Sequence, residues 1–307
     1  MTPRRVGVTM SERRQPGRER QRLFRQALVL LDASLSSNEA LQAALGLFAR
    51  GEVALRGLYV EDRDLLRSAA LPFTREVGGY SGVCRPLASD TLEARLRDRA
   101  QLIRTVLKRV ARDYHHHLEL EVTRDRVVSA ALSLVRDNDL LVIGRTGWAS
   151  GQARALGSNA RQLVRLAPCS LLIGTWPEQP ITAVIVRADE QAEAALRVAL
   201  SVVGNRARAL NVLVLPPEGG PVTDARLGEI AEWLEDQGVS AHLRVVYPPD
   251  ENGLLRALLQ EQTGAVVITR NAHETQADRE MVSRLLERVD LPLLLLRWDT
   301  AEEAAER

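Results

Sequence analysis

The sequence predicts an α/β protein built from two tandem open five-stranded parallel sheets, each with helices on both faces. Three observations carry this. Short apolar runs alternate with amphipathic helical stretches along most of the chain, which is the pattern of βαβ units in a parallel sheet. The alternation breaks at Pro177-Glu178-Gln179-Pro180 and then begins again, as a linker would make it. The two halves also align. EALQAAL at 39–45 matches AALRVAL at 194–200, LLVIGR at 140–145 matches AVVITR at 265–270, and LVRLAPCSLLI at 163–173 matches LLERVDLPLLLL at 285–296 with a one-residue shift. Self-similarity of this kind marks an internal duplication.

Composition is that of an ordinary soluble domain pair: 307 residues, 45% hydrophobic, 26% charged, net charge +1. A near-neutral balance gives no overall pull toward nucleic acid or a membrane surface. No apolar stretch approaches a membrane span, and none precedes Leu28 as a secretory leader requires. The two cysteines, Cys84 and Cys169, are far apart and lack metal-ligand spacing. All of this implies a cytoplasmic protein without a disulfide framework.

The elements follow in order. Residues 1–24 are arginine-rich and aperiodic, a basic tail expected to be disordered. The first domain is read over 25–176. Ala27–Leu31 is a buried strand, and Asp32-Ala33-Ser34 stands at its end. Ser36 and Glu39 have the spacing of a capping box for the next helix. Val53–Val60 is the second strand, and a strand, helix and strand at this spacing imply a right-handed crossover. The connection 61–88 is long enough to be a lid, a contact surface or ordinary packing through Leu65, Leu66 and Ala69. Thr91–Tyr114 is a helix with Leu92, Leu96, Ile103, Leu107 and Val110 on its inner side. His115, His116 and His117 are adjacent and cannot face one centre, so no protein metal site is expected from them. Leu118–Val122 is a strand, Val127–Val135 a helix, and Leu140–Ile143 and Ser170–Ile173 the last two strands. The second domain, 181–298, repeats the series from Thr182–Val186 to Leu293–Leu296, and 299–307 is a polar tail.

The stretch 140–176 carries the chemistry. An apolar strand ends at Gly144, Gly147 follows, and Gly157-Ser158-Asn159 opens the next helix. Glycine lets backbone approach a ligand closely. The free N–H groups of a helix N-terminus, with the Ser158 hydroxyl, suit phosphate oxygens. Asp32, at the end of the first strand, offers an acceptor to a ribose or an adenine amino group. The competing reading is that the glycines are turn punctuation. No lysine follows Gly157, so this is not a Walker A loop. The G-x-G-x-x-G fingerprint is also absent.

The spacing Gly144-x2-Gly147-x9-Gly157-Ser158 resembles the ATP-binding signature of the universal stress protein family, G-x2-G-x9-G-[ST]. LLDAS at 30–34 resembles that family's first strand, and APCSLLI at 167–173 its last. The resemblance covers 25–175 well and 180–298 weakly. It implies a Rossmann-like sheet of the adenine nucleotide alpha hydrolase type. It further implies ATP, with Mg²⁺, held by Asp32, Ala33, Ser34, Val60, Gly144, Arg145, Gly147, Gly157, Ser158 and Asn159. Many members pair through the last strand. The chain departs from the family pattern in its long 61–88 connection, in Ala33 where glycine is frequent, and in Arg145 and Trp148 within the glycine loop. Arg145 is expected to pair with phosphate or to be solvated.

An ungapped alignment gives the second copy Arg187 for Asp32, Thr269 for Gly144, Ala272 for Gly147 and Val282 for Gly157, with Ser283 retained for Ser158. The second domain therefore reads as a degenerate copy without a nucleotide, and the chain as a pseudo-dimer with a possible homodimer beyond it. No catalytic triad, acid/base pair or metal cluster stands out. The expected function is an ATP-binding stress and signalling protein whose nucleotide orders the 144–157 loop and changes a surface read by an unknown protein partner. The alternatives are a scaffold that binds no nucleotide, and a weak ATPase or autophosphorylating protein with Ser150 or Ser158 as acceptor.

Overall fold

A computed structural model of the chain describes residues 23–48, 53–78, 81–114, 118–146, 156–178, 180–203, 207–217, 219–270 and 275–298. The first half runs β1 (Gln26–Leu30), α1 (Leu35–Leu47), β2 (Ala54–Asp62), α2 (Arg63–Ala69), β3 (Arg75–Val77), β4 (Cys84–Pro86), α3 (Ser89–Tyr114), β5 (Leu118–Asp125), α4 (Val127–Leu134), β6 (Leu140–Ile143), α5 (Ser158–Leu166) and β7 (Ser170–Ile173). The second runs β8 (Ile181–Arg187), α6 (Ala192–Val203), β9 (Ala209–Leu215), α7 (Asp224–Asp236), β10 (Ala241–Val245), α8 (Glu251–Gln260), β11 (Ala265–Arg270), α9 (Gln276–Arg288) and β12 (Leu293–Arg297).

The two predicted sheets are joined. Ten strands form one sheet in the order β10-β9-β8-β11-β12-β7-β6-β1-β2-β5. All pairings are parallel except β7 with β12, where Ile173 faces Leu293 and Leu171 faces Leu295. That antiparallel seam makes the pseudo-dimer through the last strand of each half. Within each half the first strand lies between the second and the fourth, β1 between β2 and β6, and β8 between β9 and β11. Strand order reverses at β1/β6 and at β8/β11, and the crevices beyond these strand ends are where such sheets take ligands.

The strands are apolar runs because both faces are covered. β6 and β7 are buried throughout. One core, with α1, α3, α6 and α7, lies on one face; the other, with α4, α5, α8 and α9, lies on the opposite face. Both cores span the seam. The inner side expected for the long helix is the one observed, with Leu92, Leu96, Ile103, Leu107 and Val110 all buried. The long connection 61–88 holds α2 and a small β3–β4 hairpin. Leu65 and Leu66 pack on the core and Ala69 is buried, whereas Leu71 and Phe73 are exposed.

Two boundaries need correction. The tail was expected to reach residue 24, but Phe24 is buried edge-on against Phe48, ring centroids 5.7 Å apart. The first domain thus begins at least two residues earlier. The first helix is not capped by a Ser36–Glu39 box. Ser34 is the N-cap and its hydroxyl accepts from the Ser37 N–H, while Glu39 accepts from the Thr175 hydroxyl. Among the described residues no helix is long and apolar enough to cross a membrane.

Candidate functional site

A cavity of about 350 Å³ opens at the first switch point, lined by Asp32, Val60, Gly144, Arg145, Gly157, Ser158 and Asn159 among others. Seven of the expected site residues therefore meet in one place. Ala33 and Ser34 lie beside Asp32 on the same turn. Gly147 falls outside the described residues, as do Trp148, Ser150 and His115–His117.

The turn after β1 is held tightly. Leu31 N–H still bonds to the Leu58 carbonyl across the sheet. Then the chain leaves the strand through Ala33 at φ +63°, a left-handed conformation that a side chain disfavours. This is the position where the resemblance led one to expect glycine. Asp32 Oδ1 accepts from the Ser34 N–H at 2.9 Å, and the Asp32 N–H donates to the Ser37 hydroxyl. The carboxylate is partly exposed at the cavity mouth.

The floor comes from β2. Val60 is nearly buried, and Tyr59 donates its hydroxyl to the Leu96 carbonyl at 3.3 Å. Burial pushes the Tyr59 pKa up to about 12, so the ring stays neutral and serves as packing. Sequence reasoning missed Tyr59 because an aromatic next to an apolar strand end looks like core.

The fourth strand ends at Gly144. A Cβ there would stand 2.9 Å from both the carbonyl carbon and the hydroxyl of Ser36. The neighbouring Thr146 N–H donates to that hydroxyl at 3.2 Å. Gly144 thus has a packing reason of its own, the close approach of α1 to the loop. Gly157 differs. Its φ of −60° suits any residue, and it is the N-cap of α5 without a side-chain cap and without an acid in the first turn. The N-terminus of α5, with Ser158 and Asn159 exposed, faces the cavity, and among the described residues no side chain caps its backbone donors. Such an end favours negative charge.

Arg145 is neither solvated nor turned to the cavity as a phosphate ligand. Its guanidinium crosses to the second domain. Nη2 donates to the carbonyls of Leu286 (3.1 Å) and Val289, and Nη1 to that of Leu291 (3.4 Å). The Asp290 carboxylate lies 3.0 Å from Nε as a charge partner, out of line for a hydrogen bond. Burial pulls the guanidinium pKa below its ordinary value, and Asp290 opposes that. A cation on the last carbonyls of a helix is well placed against its dipole.

The second switch point also carries a cavity, of about 760 Å³. Ala27 faces Leu140, and Thr182 faces Ala265. Five residues on from Ala27 and Thr182 lie Asp32 and Arg187, so the expected correspondence at that strand end holds. The correspondence of Gly157 with Val282 does not. Val282 and Ser283 lie within α9, whose N-cap is Thr275. The ungapped alignment failed because the second loop is shorter: the N-cap Thr275 comes six residues after Thr269, whereas Gly157 comes thirteen after Gly144. At that N-terminus Thr275 and Asp278 form a capping box. The Asp278 carboxylate also pairs with Arg187. A second arginine, Arg226, is paired with Glu193 at 2.7 Å, and these hydrogen bonds raise its pKa further above the ordinary range. Where the first cavity presents an open helix end, the second fills it with its own carboxylate.

Residues 23–173 match the model of the universal stress protein family. Among the solved structures that match nearly the whole chain are two universal stress proteins. One is a universal stress protein from Archaeoglobus fulgidus DSM 4304, 14% identical, with a TM-score of 0.63 over 89% of this chain and 98% of its own. The other, from Pseudomonas aeruginosa UCBPP-PA14 and described as a universal stress protein, is 15% identical, with a TM-score of 0.55 over 89% and 93%. At these identities the likeness establishes the fold. No curated protein matches the sequence.

Proposed function

We propose, for a chain that belongs to the universal stress protein family through residues 23–173, that the first cavity binds ATP and that the protein acts as a nucleotide-responsive stress and signalling protein. The observation that carries this is the uncapped N-terminus of α5 opening into the same cavity as Asp32, at the switch point. One wall offers backbone donors to an anion, and the other offers a carboxylate to a donor group such as an adenine amine or ribose hydroxyl. The apolar floor, with Val60 and Leu58, suits a base lying between them. In this reading ATP supplies the polyphosphate anion and the base, and Mg²⁺ arrives with the phosphates. The second cavity takes no nucleotide, because Asp278 already occupies its helix end and Arg187 stands in place of the Asp32 acceptor.

A second reading has one observation in its favour. Gly144 is explained by the approach of Ser36, so part of the glycine pattern belongs to folding. A pure scaffold would keep Gly144 and have no use for an uncapped Gly157. Calorimetry with MgATP separates the two. The native protein is expected to release binding heat, and Gly157→Val, which puts a branched side chain at the helix end, to lose it. Absence of heat from the native protein refutes the nucleotide reading and leaves the scaffold.

A further inference from the structure

The two cavities are cross-linked. Each is lined by the N-terminal turn of one helix, Ser158–Ala160 of α5 in the first and Thr275 with Asp278 of α9 in the second. The far end of each helix is held by an arginine from the lining of the other cavity. Arg145 reaches the carbonyls of Leu286, Val289 and Leu291 at the end of α9. Arg270 Nη1 reaches the Val164 carbonyl near the end of α5 at 3.3 Å. These are equivalent contacts. Arg145 and Arg270 share one place in the repeat, and Val164 and Leu286 each lie three residues before the helix C-cap, Ala167 and Val289.

Arg145 is the tighter half of this link. Its side chain is only 12% exposed, and it makes three carbonyl contacts in the other domain. Its own carbonyl accepts from the Gly157 N–H at 3.0 Å, at the uncapped helix end. One residue thus has its backbone on the rim of the first cavity and its charge on the second domain. Packed interiors transmit a rim shift rather than absorb it, and α9 continues from that contact to the second cavity.

We propose that Arg145 is a positioning residue that couples the first cavity to the second domain: a ligand held by the Arg145–Gly157 rim sets the C-terminal turn of α9, and through α9 the second cavity. The proposal rests on the nucleotide reading above and adds its regulation. Linkage makes the coupling reciprocal, so that loosening the guanidinium weakens the ligand by the factor with which the ligand steadies α9.

Hydrogen exchange on the full chain tests this, with calorimetry on the same samples. MgATP is expected to slow exchange in peptides spanning 285–291 by about 5-fold or more, the lower end of common coupling strengths. Arg145→Lys keeps the positive charge but not the planar fork that meets several carbonyls. It is expected to lose the slowing at 285–291 and to bind MgATP more weakly by about the same factor. MgATP heat with unchanged exchange at 285–291 in the native protein overturns the coupling and leaves the nucleotide reading standing. No MgATP heat overturns both. The native comparison needs no variant, so a poorly folding Arg145→Lys does not shield the proposal.

Discussion

The two switch-point cavities are built from the same strands in the same order, yet they carry opposite chemistry. The first sets a carboxylate, Asp32, against an open helix end at Gly157. The second sets a guanidinium, Arg187, against a helix end closed by Thr275 and Asp278. The second site has not collapsed, for its cavity of about 760 Å³ is the larger of the two. Its helix end is occupied by the protein's own carboxylate. The two cavities differ in which charges have partners inside the protein, a difference that their volumes do not reveal.

The sharpest difference for stability lies at the opposite end of the sheets. Asp139 is fully buried and accepts from Arg25 (3.0 and 2.9 Å), from Gln26 and from the Arg136 N–H. The matching position in the second half is Gly264, against Pro180. Burial pushes the Asp139 pKa up, but the Arg25, Arg136 and Gln26 hydrogen bonds outweigh it and hold the carboxyl below its ordinary 3.8. A depressed carboxylate contributes stability above its unfolded pKa and loses it as pH falls through the folded one. The native protein is therefore expected to lose stability below pH 3.8. Asp139→Asn should cost about 3 kcal/mol in urea unfolding, since its amide NH2 replaces a buried acceptor that the Arg25, Gln26 and Arg136 donors share, and should flatten that acid-side loss.

Gly144→Ala is next. The new Cβ would meet the Ser36 carbonyl carbon at 2.9 Å, and displaced backbone should cost about 2 kcal/mol. The counterpart Thr269→Ala should cost clearly less, because the second half already holds a side chain at that point, within β11. Equal costs would contradict the packing account of Gly144. Thr275→Ala opens the capping box of α9 and should cost about 1 kcal/mol in urea unfolding; unchanged stability would contradict the cap. Smallest of all, Ala33→Gly should stabilise by about 0.5 kcal/mol, relief of the φ +63° strain being partly offset by the freedom glycine gains when unfolded.

Most of the architecture could be read from periodicity. Leu92, Leu96, Ile103, Leu107 and Val110 recur at helical spacing, and burial of that stripe is what stabilises the helix, so pattern and outcome share one cause. The duplication likewise foretold the two identical strand orders. What escaped was decided by groups distant in sequence or close in kind. Ser34 and Ser36 are both competent caps two residues apart, and only the backbone turn at Ala33 chooses between them. The destination of Arg145 lies more than 140 residues away, across a seam that only the folded sheet creates. Local text admits phosphate or water for that side chain, and neither describes it. The helix end at Thr275 was misplaced because an ungapped alignment has no means of shortening a loop, and the Thr275–Asp278 pairing that marks it is visible only once the register is abandoned.

The central claim is that one chain has one nucleotide site, and that it lies in the first half. Native mass spectrometry of the full chain titrated with MgATP tests it most directly. The account predicts saturation at one nucleotide per chain, and none for Gly157→Val. Two nucleotides per chain, or one that persists in Gly157→Val, would contradict it.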